Sequence, residues 1–325
     1  MSLPRQDFIK LAGIAGLGGI AGTTSTAAAD DLRTIRILSV PTDAAKTLLY
    51  AEASGLFRKH GLHANIQSMG SGAAIIAALV GGSADFGGGS LFPMFQAYGR
   101  GLPLRIVSPV SIYDTDHCDA WLLAAKDSPI HTPADLNGKI MGADATIDIY
   151  VTSVRAWMDA HGGDGKSLRA IELPANGQLI ALNAGRIDVV LLRPPYLTVA
   201  MQSGTVRVLG KPLDIIAPRF LLSCMVATTD FIAKNPAVVE GFVAAASEAS
   251  RYTNAHQAET VPLVAAFTGQ DPALIAAGVR SITAQSITLA EVQRPLDFAF
   301  AHGTIDRHYD AKVMLAASIP MTGPR

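Results

Sequence analysis

Little in this chain of 325 residues is equipped for covalent or metal chemistry. It has two cysteines, Cys118 and Cys224, so there is no CxxC pair and no zinc framework. Its eight histidines are scattered, without an HExxH or other paired spacing, and no metal is expected. A G-x-S-x-G nucleophile elbow is absent, so Ser223-Cys224 is not one. A phosphate loop, GxxxxGK[ST], is absent too, and no GxGxxG follows the first strand, so no cofactor is expected. Charge is sparse: 16% of residues, 26 basic against 27 acidic, net −1, with no basic run or stripe. That excludes nucleic acid as a partner. After the N-terminal segment no apolar run reaches the roughly 18 residues of a membrane span. His117, Cys118 and Asp119 are adjacent, but neighbours in a strand face opposite ways, so they read as the start of a strand and not as a catalytic cluster.

What the chain has is apolar bulk. Hydrophobic residues make up 49%, and the length suits two domains with ample core. The N-terminus reads as an export segment, residues 1–29. Arg5 and Lys10 precede the Gly- and Ala-rich stretch Leu11–Ala21, and Ala27-Ala28-Ala29 forms an A-x-A type cleavage site. Arg5-Gln6-Asp7-Phe8-Ile9-Lys10 resembles a twin-arginine signal with Gln6 in place of the second arginine. No cysteine precedes Cys118, so lipid attachment at the signal is not expected. In an oxidising compartment Cys118 and Cys224 can pair, or stay as two buried thiols; the sequence leaves both open.

A short unit occurs twice. Residues 78–86 read ALVGGSADF and residues 181–189 read ALNAGRIDV, so Leu79, Gly82 and Asp85 match Leu182, Gly185 and Asp188. Each reads as a helix end, a glycine stop and a short buried strand opened by aspartate. Upstream, Leu56–Gly61 and Ala156–Gly162 each close a helix that follows a strand. Residues 35–93 are thus echoed by 138–195, which predicts two similar lobes with a ligand cleft between them.

Strands are expected at Ile35–Val40, Ala64–Met69, Ala84–Gly87, Leu104–Val110, Lys139–Gly142, Arg169–Leu173, Ile187–Leu192 and Thr205–Leu209. Helices between them, such as Ala44–His60, Leu91–Gly99 and Asp148–His161, imply a largely parallel sheet in each lobe. Trp121–Ala125 and Phe220–Ala227 read as strands crossing between lobes, and the helices after Asn235 as packing on the first lobe. The divisions are therefore 30–125 for the first lobe, 126–217 for the second and 218–325 for the return. Ligands of open α/β lobes sit at the carboxyl ends of strands, where helix N-termini present free N–H groups. The candidates there are Pro41, Thr42, Asp43, Gly70, Ser71, Gly88, Gly89, Ser90 and Tyr113 from the first lobe, and Asp144, Thr146, Asn176, Arg193 and Tyr196 from the second. Arg193 is the one cation among them, suited to gripping an acidic head. Asp43 and Asp144 also suit helix caps, and Tyr113 and Tyr196 also suit an interface between lobes.

The run Ala51-Glu52-Ala53-Ser54-Gly55-Leu56-Phe57-Arg58-Lys59-His60-Gly61-Leu62 resembles a signature of periplasmic solute-binding proteins of the sulfonate, taurine, nitrate and thiamine-precursor type. Ala78-Leu79, Gly82, Ala84-Asp85-Phe86-Gly87 and Gly101-Leu102-Pro103 follow the same pattern, as do Asp135–Lys139 and Pro195-Tyr196. The resemblance implies a type II periplasmic binding protein: two Rossmann-like lobes joined by two crossing strands, closing on a small solute. It also implies a periplasmic monomer that delivers its ligand to a membrane ABC permease and is not an enzyme. Leu192-Arg193-Pro194 replaces the W-x-E-P of sulfonate binders, so the ligand does not carry over; Arg193 points to a sulfonate or carboxylate. The rival expectation is an enzyme on the same fold, in thiamine-pyrimidine or menaquinone-type synthesis. An export signal argues against it.

Overall fold

The computed structural model describes Leu32–Gly323, and the expected export segment lies outside the described residues. Among the described residues, segments of four to eleven residues form ten strands. The first sheet contains β1 (Arg33–Ser39), β2 (Leu62–Ser68), β3 (Phe86–Ser90), β4 (Leu104–Asp114) and β10 (Arg219–Thr228), in the order β2-β1-β3-β10-β4. The second contains β5 (Trp121–Ala125), β6 (Ile140–Ala143), β7 (Arg169–Glu172), β8 (Val189–Leu192) and β9 (Val206–Gly210), in the order β7-β6-β8-β5-β9. In each, three consecutive βα units pair in parallel, and one strand inserts antiparallel: β10 between β3 and β4, β5 between β8 and β9. This is the two-lobed α/β architecture expected from the repeat.

The repeated unit does the same work in both lobes. Asp85 donates its N–H to the Arg36 carbonyl and accepts the Arg36 N–H at 2.8 Å. Asp188 donates to the Ile140 carbonyl and accepts the Ile140 N–H at 2.7 Å. Each aspartate thus staples the third strand of its lobe to the first. Gly82 and Gly185 lie at φ 74° and 67°, the left-handed position that lets a helix stop and turn into that strand.

The sequence reading ended the first lobe with Trp121–Ala125 as a crossing strand. In the structure that strand lies within the second sheet, with Trp121 opposite Leu192. Leu122, Leu123 and Ala124 are fully buried between two neighbouring strands. A short apolar run identifies a strand but not its sheet. The passages between sheets are residues 115–120 and 211–218, and β10 belongs wholly to the first sheet. The expected helix Ala44–His60 is also divided, into a 3₁₀ turn (Asp43–Ala45) and helices Lys46–Ala53 and Leu56–Lys59, separated at Gly55. After Arg193 a turn at Pro194-Pro195 leads into a helix at Tyr196–Gln202.

Of the C-terminal helices, Pro236–Ala255 and Leu289–Ala301 pack on the first sheet, whereas Pro272–Ala277 meets helix Tyr196–Gln202 of the second lobe. Phe242, on helix Pro236–Ala255, stacks on Phe57 and Phe86, and Phe298, on helix Leu289–Ala301, meets Phe92. One apolar cluster runs through both lobes, and two others fill the remaining faces of the two sheets. Cys118 and Cys224 are both buried and unbridged. Among the described residues no helix is long and apolar enough to cross a membrane.

Candidate functional site: the cleft between the lobes

The strand ends of both sheets open on one cleft. Its first-lobe wall depends on glycine in β3. A Cβ on Gly87 would fall 2.4 Å from Ile75 Cγ2, and one on Gly88 would fall 2.6 Å from Met225 Sδ. Without side chains there, helix Gly72–Val80 settles directly on the strand, and its first turn reaches the cleft beside Gly88, Gly89 and Ser90. Ser71 caps that helix by accepting the Ala74 N–H at 3.3 Å. Ser90 stands at the N-cap of helix Leu91–Gly99 but makes no side-chain capping bond. Two helix starts therefore present N–H groups on one wall, which favours negative charge.

The second-lobe wall is formed by Asp144, Ala145, Ile147, Asp148, Tyr150 and Arg193. Burial pushes the Asp144 carboxyl up to about 6 against the Ala175 N–H, and the charge of Glu172 adds to that. Asp148 caps helix Ile149–Ala160 by accepting the Val151 N–H at 2.8 Å. Its burial pushes it up to about 7, even though that N–H favours the anion.

Arg193 lies on the wall, with one of its amino groups committed to the hinge and its Nε buried without a hydrogen-bond partner. Its Nη2 donates to Asp119 Oδ2 at 2.6 Å and to Ser281 Oγ at 3.3 Å, and Ser281 Oγ donates to the same Asp119 oxygen at 2.6 Å. The cation expected at the strand end is thus partly neutralised through Nη2. Asp119 comes from the first passage between lobes, so the ion pair belongs to the hinge. Asp43 is a correction to the expected site. It is fully buried, off the cleft wall, and accepts from Lys46 Nζ at 3.2 Å, Arg280 Nε at 2.7 Å and the Ser281 N–H at 2.8 Å. Burial opposes its charge, yet Lys46 and Arg280 hold its carboxyl below the usual carboxylate range. Ser281 thus joins two buried ion pairs beneath the cleft.

Tyr113 is a second correction. It lies inside β4, fully buried, and its hydroxyl donates to Asp214 Oδ1 at 2.6 Å, tying the end of β4 to the second passage between lobes. Thr146 and Asn176 are exposed and off the wall, and Pro41 is also off it. Thr42, Gly70, Ser71, Gly88, Gly89, Ser90, Asp144 and Arg193 do come together on it. Tyr196 lines a side pocket leading into the second lobe, with Asp144, Tyr150 and Gln178. Sequence reasoning missed Gln96, Val110, Asp148, Tyr150, Gln178 and Ser223 on these walls. Asp148 carried a signal, a capping residue after a strand–loop–helix junction; the others lie within helices or strands and carried none.

A family model described as "NMT1/THI5 like" matches residues 44–260. A protein of Escherichia coli (strain K12) described as an aliphatic sulfonates-binding protein is 28% identical over 208 residues, 63% of this chain. That match spans 62% of the relative's own length. Among solved structures, the periplasmic aliphatic sulphonate binding protein SsuA from Escherichia coli superposes with a TM-score of 0.71 at 21% identity, covering 90% of this chain and 95% of that one. The periplasmic nitrate-binding protein NrtA from Synechocystis PCC 6803 gives 0.73 at 14% identity, with coverage of 87% and 85%. The desulfurization enzyme DSZB shares the fold too, at 0.64 and 16% identity, with coverage of 87% and 96%. The fold is thus that of type II periplasmic binding proteins, and it serves binders and at least one enzyme. With the family match running from the first helix of one lobe to the helices that return to it, the chain belongs to the NMT1/THI5-like family.

Proposed function

We propose that this protein is the extracytoplasmic solute-binding component of an ABC importer, holding a small organic solute with an acidic head in the cleft between its lobes. The observation that carries this reading is the wall on which the starts of helices Gly72–Val80 and Leu91–Gly99 meet at Ser71 and Ser90. The ligand-contacting set is Thr42, Gly70, Ser71, Gly88, Gly89, Ser90 and Asp144, with Asp148 and Tyr150 added. Export to the periplasm through residues 1–29, action as a monomer and delivery to a membrane permease complete the reading. Two passages between lobes, joined where the Thr115 N–H donates to the Pro218 carbonyl and Lys211 Nζ donates to the Thr115 carbonyl, suit closure by a hinge.

A role in binding rather than catalysis is supported by the chemistry of the walls. Ser223 Oγ lies 2.6 Å from Ser111 Oγ and no histidine lines the cleft, so neither hydroxyl has a base beside it. Burial pushes the Cys118 thiol up, and its Sγ donates to the Ala120 carbonyl, which suits a structural thiol.

A thermal-shift screen over sulfonates, aromatic and aliphatic carboxylates, nitrate, pyrimidines and amino acids tests the reading. A ligand at a hundred times its Kd adds about 2.7 kcal/mol. Stabilisation by an acid-headed member with no chemical change in it is expected. Turnover of a stabilising compound would favour the enzyme reading, and no shift across the panel would overturn solute binding of this class.

A further inference from the structure

The side pocket off the cleft names a second feature of the solute. Gln178 is 2% exposed there, on helix Ala175–Asn183. Its Nε2 donates to Asp144 Oδ1 at 3.0 Å and to the Leu173 carbonyl at 2.9 Å. Leu173 offers only an acceptor, so the nitrogen must face these partners and the amide cannot be turned over. That leaves Gln178 Oε1 buried with no hydrogen-bond partner. Buried polar atoms are nearly always paired, so an unpaired acceptor calls for an explanation.

The neighbourhood points the same way. Asp144 stands on the walls of both the cleft and the side pocket. The cation that lines them, Arg193, gives its Nη2 to Asp119, and its Nε is buried without a partner. Around Asp144 and Gln178 the pocket therefore presents acceptors and negative charge, while the opposite lobe presents the N–H groups of two helix starts. A solute with only an acidic head would satisfy the first lobe, leave Gln178 Oε1 unpaired and face the Asp144 carboxylate.

We propose that the solute is two-headed, with its acidic group against the helix starts at Ser71 and Ser90 and an N–H-donating amino group in the side pocket between Asp144 and Gln178 Oε1. This rests on the solute-binding reading and narrows its ligand class. An amino group supplies several donors, so one such group pairs the free amide oxygen and the carboxylate together. Its positive charge also stabilises the ionised form of Asp144.

The test is titration calorimetry of the full chain with matched pairs that differ by an amino group: β-alanine and propionate, 4-aminobutyrate and butyrate, 3-aminopropanesulfonate and propanesulfonate. The amino member is expected to bind at least tenfold tighter in one pair or more. Asp144→Asn keeps the shape and the bond from Gln178 but removes the charge, and it is expected to cut that preference to threefold or less. Equal binding within every pair, or a preference unchanged in Asp144→Asn, overturns the amino assignment while leaving solute binding intact. Failure of every member to bind overturns both. The wild-type pairs decide the first point even where the variant does not fold.

Discussion

Removing one partner of the Asp119–Arg193 pair should destabilise the ligand-free protein strongly, whatever it does to binding. The two side chains are 2% and 8% exposed and meet at 2.6 Å. Truncating Arg193 to Leu leaves the Asp119 carboxylate in the hinge with only the Ser281 hydroxyl and the more distant charge of Lys46. Breaking a buried pair from one side typically costs about 3–5 kcal/mol, because the remaining charge is uncompensated. About 290 folded residues carry an unfolding entropy of about 0.6 kcal/mol per degree, so the melting temperature should fall by about 5–8 °C. Asp119→Asn should cost less than Asp119→Leu, since the amide still accepts from Ser281. The double variant Asp119→Leu/Arg193→Leu should recover part of the loss, because two apolar groups leave no stranded charge. Scanning calorimetry without ligand on the four variants and the wild type measures this. If Arg193→Leu melts within about 1 °C of wild type, the pair is not a buried structural tie and the account of the hinge is wrong.

Three further outcomes follow from other sites. Asp148 has its pKa raised to about 7 by burial, so the stability of its protonated form is present below its unfolded value near 4 and is lost as the pH rises through 7. Asp148→Asn keeps an oxygen for the Val151 N–H and should add several degrees to the melting temperature at pH 8 but none at pH 4; equal curves in a pH series of melts would refute the assignment. Gly87→Ala places a methyl 2.4 Å from Ile75 Cγ2 and 2.7 Å from Leu79 Cδ1, so denaturant unfolding should show a loss of about 1–3 kcal/mol, with weaker ligand binding as the start of helix Gly72–Val80 is pushed off the strand. Tyr113→Phe deletes the hydroxyl that holds Asp214 of the second passage to β4, and should cost about 1–2 kcal/mol while leaving ligand contacts intact; a loss of affinity at unchanged stability would return Tyr113 to the binding wall.

Much of the architecture was legible because it is written in local patterns. Alternating strands and helices gave two parallel lobes, and the repeated glycine and aspartate marked equivalent strand starts, since Gly82 and Gly185 need a left-handed backbone and Asp85 and Asp188 bind a neighbour in register. The first-lobe wall was legible for the same reason: Gly70-Ser71 and Gly88-Gly89-Ser90 stand at strand ends wherever a βα unit folds. What the sequence by itself determined is therefore the set of elements, their order and the loops that meet at the cleft. Tertiary structure alone decided which charges are free. Arg193 and Asp119 are 74 residues apart, and Asp43 and Arg280 are 237 apart. Nothing in either local pattern shows that one neutralises the other. It also placed β5 in the second sheet and turned Gln178 toward Leu173, leaving an amide oxygen unpaired in a side pocket. Local sequence sets backbone conformation through sterics and capping, whereas the electrostatics of a site are set by pairings that exist only once distant segments have packed.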